Sequence, residues 1–76
     1  MGNANISGPR IKQIREKLKM DQVELAAALD VEYGIRLKQS DISEIERGTR
    51  GIKDYELNAI SKILNVDPTW LLRGTN

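Results

Sequence analysis

The sequence contains no cysteine and no histidine. Such a chain has neither a disulfide framework nor a Cys/His metal site, so packing alone must hold it together, which fits a reducing cytoplasm. It also lacks the side chains that most often perform acid–base or nucleophilic catalysis near neutral pH, and it has no glycine-rich phosphate loop. We therefore predict a cytoplasmic protein that is not an enzyme and that uses no metal or cofactor.

Long apolar runs are also missing, which excludes a membrane span or the core of a signal peptide. The 76 residues suffice for one small domain and leave no room for a second hydrophobic core. The polar segment Met1–Ile6 has no helical pattern. We predict a flexible lead-in over residues 1–8 and one folded domain over residues 9–74.

Neither positive nor negative charge dominates, because the chain has 12 basic and 11 acidic residues and a net charge of +1. This value alone does not indicate a nucleic-acid partner. The charges are nevertheless segregated along the chain, with a net charge of +4 over residues 1–20, −4 over 21–35 and +2 over 36–53. One face of a folded domain can therefore be basic although the whole molecule is nearly neutral.

Apolar spacing and capping residues predict two helices in the first half. Apolar residues recur at three and four positions from about Pro9 to Lys19, with proline suited to a first helical turn. Asp21 and Glu24 form a capping-box pattern, so a second helix starts at Gln22. Its predicted buried positions are Val23, Leu25, Ala26, Leu29 and Tyr33, and its predicted end lies between Asp30 and Tyr33, before a glycine suited to a left-handed cap.

Three further helices follow. Ile42 and Ile45 anchor a third helix that ends at Gly48, and a short basic loop spans Thr49–Lys53. Asp54 is the predicted N-cap of a fourth helix that ends at Asn65. Asp67 and Pro68 open a last short helix that runs to Gly74. No segment alternates with a period of two, so the prediction is an all-α domain of five helices.

Two short helices joined by a tight turn are typical of a helix-turn-helix. The second to fifth helices contain the stretches DQVELAAALDV, SDISEIERG and YELNAISKILNVDPTWLL. In this order they resemble the lambda-repressor-like helix-turn-helix family, and the resemblance covers about Arg10 to Gly74. It implies a compact five-helix domain that binds double-stranded DNA, with the third helix in the major groove.

One spacing departs from the family pattern. Val31 and Ile42 are eleven residues apart here, whereas typical members have five, so six residues are inserted before the third helix. A subgroup with a longer turn and a Thr-Asp-Tyr-Glu-like start to the fourth helix is closer, and Lys53–Glu56 reads Lys-Asp-Tyr-Glu. The insertion leaves the tilt of the third helix open, and we expect it to place Tyr33, Arg36 or Lys38 against the DNA backbone.

The third helix carries three carboxylates, Asp41, Glu44 and Glu46, which is unusual for a helix that meets a polyanion. At about 100° per residue its core face centres between Ile42 and Ile45, so Glu46 and Asp41 lie on the flanks and only Glu44 faces outward with the polar residues. The family pattern further implies that Glu46 forms a structural ion pair with Arg15.

The resemblance also assigns roles in DNA binding. The implied base-reading residues occupy the start of the third helix and its next turn: Gln39, Ser40, Ser43 and Glu44. Glutamine suits adenine, glutamate suits cytosine and serine does not discriminate. The implied phosphate contacts lie at the second-helix start, around the basic loop and on the first helix: Gln22, Lys38, Arg47, Arg50, Lys53 and Arg10.

Other interpretations remain open. Without the family pattern Gln22 is only a polar residue that starts a helix, and Arg50 and Lys53 are equally well solvated loop charges. The sequence is also compatible with two other functions, a protein-interaction adaptor and a DNA-binding antitoxin that needs a protein partner. The polar outward face of the third helix favours DNA over an adaptor. We predict a transcriptional regulator, a repressor rather than an activator, that binds DNA as a homodimer.

Overall fold

A computed structural model describes residues 7–73. Over that range the chain forms five α-helices and no strand: α1 (Ser7–Lys17), α2 (Gln22–Tyr33), α3 (Gln39–Arg47), α4 (Asp54–Leu64) and α5 (Pro68–Arg73). The predicted all-α architecture is confirmed for this part of the chain. The segment Met1–Ile6 of the predicted lead-in and the predicted helix end at Gly74 lie outside the described residues.

Helix α1 begins two residues before the predicted position, because Ser7 and Gly8 are buried in the domain. The Ser7 hydroxyl donates a hydrogen bond to the carbonyl oxygen of Leu71, 3.0 Å away. At Gly8 the helix backbone touches α3, since a Cβ there would lie 2.2 Å from the carbonyl oxygen of Ile45. The predicted lead-in therefore ends too late, and its last two residues belong to α1.

Helix α2 starts as its sequence predicts. The backbone N–H of Glu24 donates to the Asp21 carboxylate, the N–H of Asp21 donates to the Glu24 carboxylate, and both bonds measure 2.8 Å. At the other end Gly34 has a φ of 66°, and its N–H donates to the Asp30 carbonyl. Capping residues therefore determine both ends of α2.

The buried face of α2 is narrower than predicted. Leu25, Ala26 and Leu29 are buried, but Val23 is 56% exposed and Tyr33 is 41% exposed. At 100° per residue Val23 lies about 110° from the centre of the buried stripe formed by Leu25, Ala26 and Leu29. Tyr33 stands in the last turn, among residues 30–34, which are all exposed. The prediction that these two side chains are buried is wrong.

The longer connection to α3 is accommodated in two ways. Helix α2 continues to Tyr33, and the remaining turn of residues 34–38 places Ile35 and Leu37 against the core as partly buried side chains. The Ile35 N–H donates to the carbonyl of Leu29 at 3.1 Å, which closes the end of α2. The inserted residues thus extend the helix and the core.

The start of α4 differs from the prediction by one residue. Asp54 is already helical, and Lys53 occupies the N-cap position with extended backbone angles. The Glu56 carboxylate, three residues later, accepts a hydrogen bond from the Lys53 N–H at 3.0 Å. At its other end Asn65 adopts the predicted left-handed conformation, with a φ of 59°. The prediction of Asp54 as the N-cap is therefore wrong.

All five helices contribute to one hydrophobic core. Its buried members are Ile11, Leu25, Ala26, Leu29, Ile42, Ile45, Leu57, Ala59, Ile60, Leu64 and Leu71. Helix α3 packs against α1 and α2, whereas α5 packs against α1 and α4. The core therefore fixes α3 through one face and leaves its other face to solvent. Within residues 7–73 no helix is long and apolar enough to cross a membrane.

Candidate nucleic-acid interface

The outward face of α3 is polar. Gln39, Ser40 and Arg47 are exposed, and Ser43 and Glu44 are partly exposed. Ile42 and Ile45 point into the core on the opposite side. This orientation follows from the amphipathic pattern of the helix, so the structure brings the predicted base-reading residues together on one solvent-facing surface.

A buried ion pair fixes α3 to α1. The Arg15 guanidinium donates to both oxygens of the Glu46 carboxylate, at 2.7 and 3.0 Å, and a third bond of 2.7 Å reaches the Met20 carbonyl. Arg15 is 7% exposed and Glu46 is 6% exposed. The hydrogen bond with Glu46 raises the pKa of Arg15 although burial opposes this. The structure thus contains the ion pair that the family resemblance implies.

Two glutamines extend this ion pair to the surface. The Gln22 amide donates to a Glu46 oxygen at 3.0 Å, and the Gln39 amide donates to the Gln22 oxygen at 3.3 Å. A continuous chain of hydrogen bonds therefore runs from Arg15, inside the domain, to the first residue of α3. The exposed Gln39 side chain is therefore linked through Gln22 to the buried ion pair.

The acidic residues of α3 are used in different ways. Glu46 is buried in the ion pair, and the Asp41 carboxylate accepts a hydrogen bond from the Lys38 N–H at 2.9 Å, which caps the start of α3. Among residues 7–73, the Glu44 carboxylate receives no hydrogen bond. The prediction that only one of the three carboxylates faces outward agrees with these contacts.

Arg47 lies along the exposed face of α3. Its guanidinium donates to the hydroxyl of Ser43, one helical turn back. Ser43 therefore acts as a support for Arg47 in the free protein. Because the guanidinium has further N–H donors, this contact leaves Arg47 able to bind a second acceptor such as a phosphate.

The basic loop, residues 49–53, is closed by a second ion pair. The Arg50 guanidinium donates to both oxygens of the Glu56 carboxylate, at 3.1 and 3.2 Å. Burial favours the neutral acid at Glu56, but the hydrogen bonds from Arg50 and from the Lys53 N–H outweigh it and lower the pKa of Glu56. The pKa of Arg50 is raised, chiefly by the bond to Glu56.

Comparison with known proteins agrees with this arrangement of helices. The family described as "Helix-turn-helix domain" matches residues 8–76, nearly the whole chain. The chain belongs to this helix-turn-helix family. The resemblance to lambda-repressor-like proteins that the motifs indicate is confirmed. No solved structure shows a significant match.

Two bacterial relatives of this helix-turn-helix chain cover most of it. It is 37% identical over 67 residues to the "HTH-type transcriptional regulator DicA" of Escherichia coli K12, and 41% identical over 69 residues to the "Control protein C.BamHI" of Bacillus amyloliquefaciens. The matches cover 88% and 90% of this chain. The chain spans 45% of DicA and 78% of C.BamHI.

Within the helix-turn-helix domain, the predicted phosphate contacts occupy different places. Lys38 and Lys53 are exposed at the two ends of the α3 region, whereas Gln22 is engaged with Glu46 and Gln39. Arg10 is elsewhere, because its guanidinium lies over the Trp70 ring, 5.8 Å from the centroid, and one of its nitrogens is buried without a hydrogen-bond partner. The structure therefore does not bring Arg10 to the α3 surface.

Sequence reasoning missed Glu56 as the partner of Arg50. A signal was present, since a glutamate three residues after an N-cap often accepts a hydrogen bond from the N-cap N–H. Placing the N-cap at Asp54 puts Leu57 at that third position, whereas the observed N-cap at Lys53 puts Glu56 there. An error of one residue in the helix start therefore concealed the capping role of Glu56, and the capping pattern does not predict its pairing with Arg50.

Proposed function

We propose that this chain is the DNA-binding domain of a transcriptional regulator and that it places α3 in the major groove of duplex DNA. The observation that carries the proposal is the exposed polar face of α3, which the Arg15, Glu46 and Gln22 network holds in a fixed orientation. Support comes from the two relatives, one named a transcriptional regulator and the other a control protein. The proposed activity is binding rather than catalysis, in the bacterial cytoplasm.

Base reading in this proposal comes from Gln39, Ser40, Ser43 and Glu44. Gln39 has an amide suited to the N6 and N7 atoms of adenine, and Glu44 has a carboxylate that accepts from cytosine N4 or repels other bases. Lys38, Arg47 and Lys53 bind phosphates on either side of these residues. The start of α2 at Gln22 adds backbone N–H groups that favour an anion.

The domain works as a homodimer and as a repressor in this proposal. One domain of this size offers few contacts, so two copies on half-sites about 10 bp apart give useful affinity. The proposed dimer surface lies near α5 and the loop before α4, where Leu72 is 51% exposed and Tyr55 is 58% exposed. Repression needs no surface beyond the DNA interface, because occupancy of a promoter is enough.

A protein-binding role is the second candidate, and one feature favours it. A groove of about 400 Å³ lies beside α2 and is lined by Val23, Ala26, Ala27, Asp30, Arg36, Leu37 and Lys38. Exposed apolar side chains in a groove are typical of a surface that binds a partner. An adaptor or an antitoxin-type regulator would use this groove.

Selection from a pool of random duplexes at two salt concentrations tests the proposal. We expect an enriched motif with two-fold symmetry whose binding weakens steeply as salt rises, because Lys and Arg contacts release counterions. Gln39→Ala and Ser40→Ala should each relax the preference at one position of the motif, while Lys62→Ala on α4 serves as a control. Absence of enrichment, with no retention at low salt, would favour the protein-binding candidate.

A further inference from the structure

One buried carboxylate connects both ends of the basic loop. Glu56 is 1% exposed, and it accepts two hydrogen bonds from Arg50 near the start of the loop and one from the Lys53 N–H at its end. Glu56 itself belongs to the first turn of α4, which the core holds in place through Leu57 and Ile60. Glu56 therefore attaches both ends of the loop to a rigid element, while Ile52 within the loop packs against the core.

The guanidinium of Arg50 is occupied within the protein. Besides its two bonds to Glu56, Nη1 donates to the Gly51 carbonyl at 3.0 Å. The Arg50 side chain is 25% exposed. A guanidinium paired with a carboxylate in this way has few N–H groups left for phosphate. The two N–H groups that could bind two phosphate oxygens already donate to two carboxylate oxygens.

The α3 side of the loop is fixed by separate contacts. Gly48 has a φ of 81°, and the Thr49 N–H donates to the Glu44 carbonyl at 3.0 Å. Arg47 precedes this attachment, and Lys53 is the last residue of the loop. The ion pair with Glu56 therefore determines how far apart, and in which direction, these two exposed cations are presented.

Carboxylates on α3 add a second effect. Asp41 and Glu44 interact electrostatically with Arg50 and, after Glu56, contribute to its raised pKa. Arg50 thereby offsets negative charge on the helix that faces the polyanion. From its position between α3 and α4, Arg50 therefore affects both the conformation of the basic loop and the net charge of the proposed interface.

We propose that Arg50 is a positioning residue for DNA binding, which acts through Glu56 to hold the basic loop so that Arg47 and Lys53 meet phosphates together. This inference rests on the proposed function. It replaces the role that the family resemblance implies for Arg50, a direct contact with a DNA phosphate. Arg50 holds the loop in position, and Arg47 and Lys53 make the contacts with phosphate.

The two roles predict opposite effects when Glu56 loses its charge. If Arg50 bound phosphate, Glu56→Gln would release its guanidinium and remove a negative charge, so DNA binding would strengthen. If Arg50 positions the loop, the same change turns an amide N–H towards the guanidinium, loosens the loop and weakens binding. Arg50→Lys separates the roles again, because lysine still binds phosphate but cannot form the paired bonds to a carboxylate.

The experiment measures Kd by fluorescence anisotropy on the enriched duplex, over a series of salt concentrations, for Glu56→Gln, Arg50→Lys and the control Asp54→Asn. Asp54 is exposed in the same first turn of α4, so its change removes the same charge without touching Arg50. We expect Glu56→Gln and Arg50→Lys each to weaken binding about tenfold, within the coupling range of hydrogen-bonded pairs. Asp54→Asn should bind as tightly as wild type or tighter.

The Kd of Arg50→Lys at each salt concentration, rather than its salt slope, distinguishes a direct phosphate contact from positioning, because lysine keeps a positive charge in either role. Each phosphate contact contributes about 0.9 to the slope of log K against log salt. Arg50→Lys should keep the wild-type slope with a higher Kd at every salt concentration. Equal affinities of Glu56→Gln and Asp54→Asn, together with a wild-type Kd for Arg50→Lys, would overturn the proposal.

Amide hydrogen exchange without DNA tests the loop attachment independently. We expect the Lys53 N–H to exchange faster in Arg50→Lys than in wild type, while core amides such as that of Ile60 are unchanged at a temperature where both proteins are folded. Unchanged exchange at Lys53 would overturn the proposal even if DNA binding is established. Wild-type protein that binds no duplex would instead overturn the proposed function.

Discussion

Replacing Arg15 with alanine leaves the carboxylate of Glu46 buried with one remaining side-chain donor, the Gln22 amide. The three hydrogen bonds of the guanidinium, to Glu46 and to the Met20 carbonyl, are lost together. Removal of one partner from a buried pair costs about 3–5 kcal/mol, because the other charge has neither water nor a counterion. We therefore expect Arg15→Ala to be among the most destabilising single substitutions in the domain.

This cost is large compared with the stability of so small a domain. At roughly 0.05–0.15 kcal/mol per residue, a chain of 76 residues is stable by about 4–11 kcal/mol. Each kcal/mol corresponds to about 4–8 °C in the melting temperature of a domain this size. Thermal unfolding followed by circular dichroism should therefore show a loss of at least about 12 °C for Arg15→Ala, unless the variant is already unfolded at room temperature.

Two further variants make the test specific. Arg36→Ala removes an arginine whose contact with Asp30 is 3.8 Å long and exposed, so the expected cost is below about 1 kcal/mol. Replacing Arg15 and Glu46 together with leucine removes both charges, and the double variant should be more stable than Arg15→Ala. A stabilising role of the buried ion pair is contradicted if Arg15→Ala loses no more stability than Arg36→Ala, or if the double variant is the least stable of the three.

Three other substitutions or conditions test separate features. Gly8→Ala should destabilise the domain by about 1–3 kcal/mol in urea unfolding, because the new Cβ would overlap the Ile45 carbonyl. Lys19 has a φ of 59°, so Lys19→Gly should stabilise by about 0.5–1 kcal/mol whereas Lys19→Ala should not. Burial raises the pKa of Glu56, but the hydrogen bonds from Arg50 and Lys53 outweigh burial, so the pKa is lower in the folded state than in the unfolded state. The contribution of Glu56 to stability is therefore complete above the unfolded-state pKa and is lost as the pH falls through the folded-state pKa. Urea midpoints measured against pH should therefore fall less steeply on the acid side in Glu56→Gln than in wild type.

Most of the helix ends follow from local sequence. Several helix ends are set by hydrogen bonds or backbone angles that involve only residues a few positions away, at Asp21, Gly34, Gly48 and Asn65. The same holds for Asp67, whose carboxylate accepts a hydrogen bond from the Thr69 N–H. Such interactions form in any tertiary context, so a sequence pattern is sufficient to predict them.

The polar face of α3 was also predictable. The spacing of Ile42 and Ile45 fixes which side meets the core, and Ser40 and Arg47 then face solvent. The ion pair between Arg15 and Glu46 required the family pattern as well, because 31 residues separate the two partners. Periodicity gives the direction of a side chain, but it does not identify the partner.

The five helices, most of their ends and the polar surface of α3 could be predicted from the sequence, since these features depend on neighbours along the chain. Which long polar side chains are occupied inside the protein followed only from the packing of distant elements: Arg10 lies over Trp70, Arg50 binds Glu56, and Gln22 lies between Glu46 and Gln39. A long polar side chain reaches several elements. Its partner is chosen by the packing of those elements, and local sequence does not encode that choice.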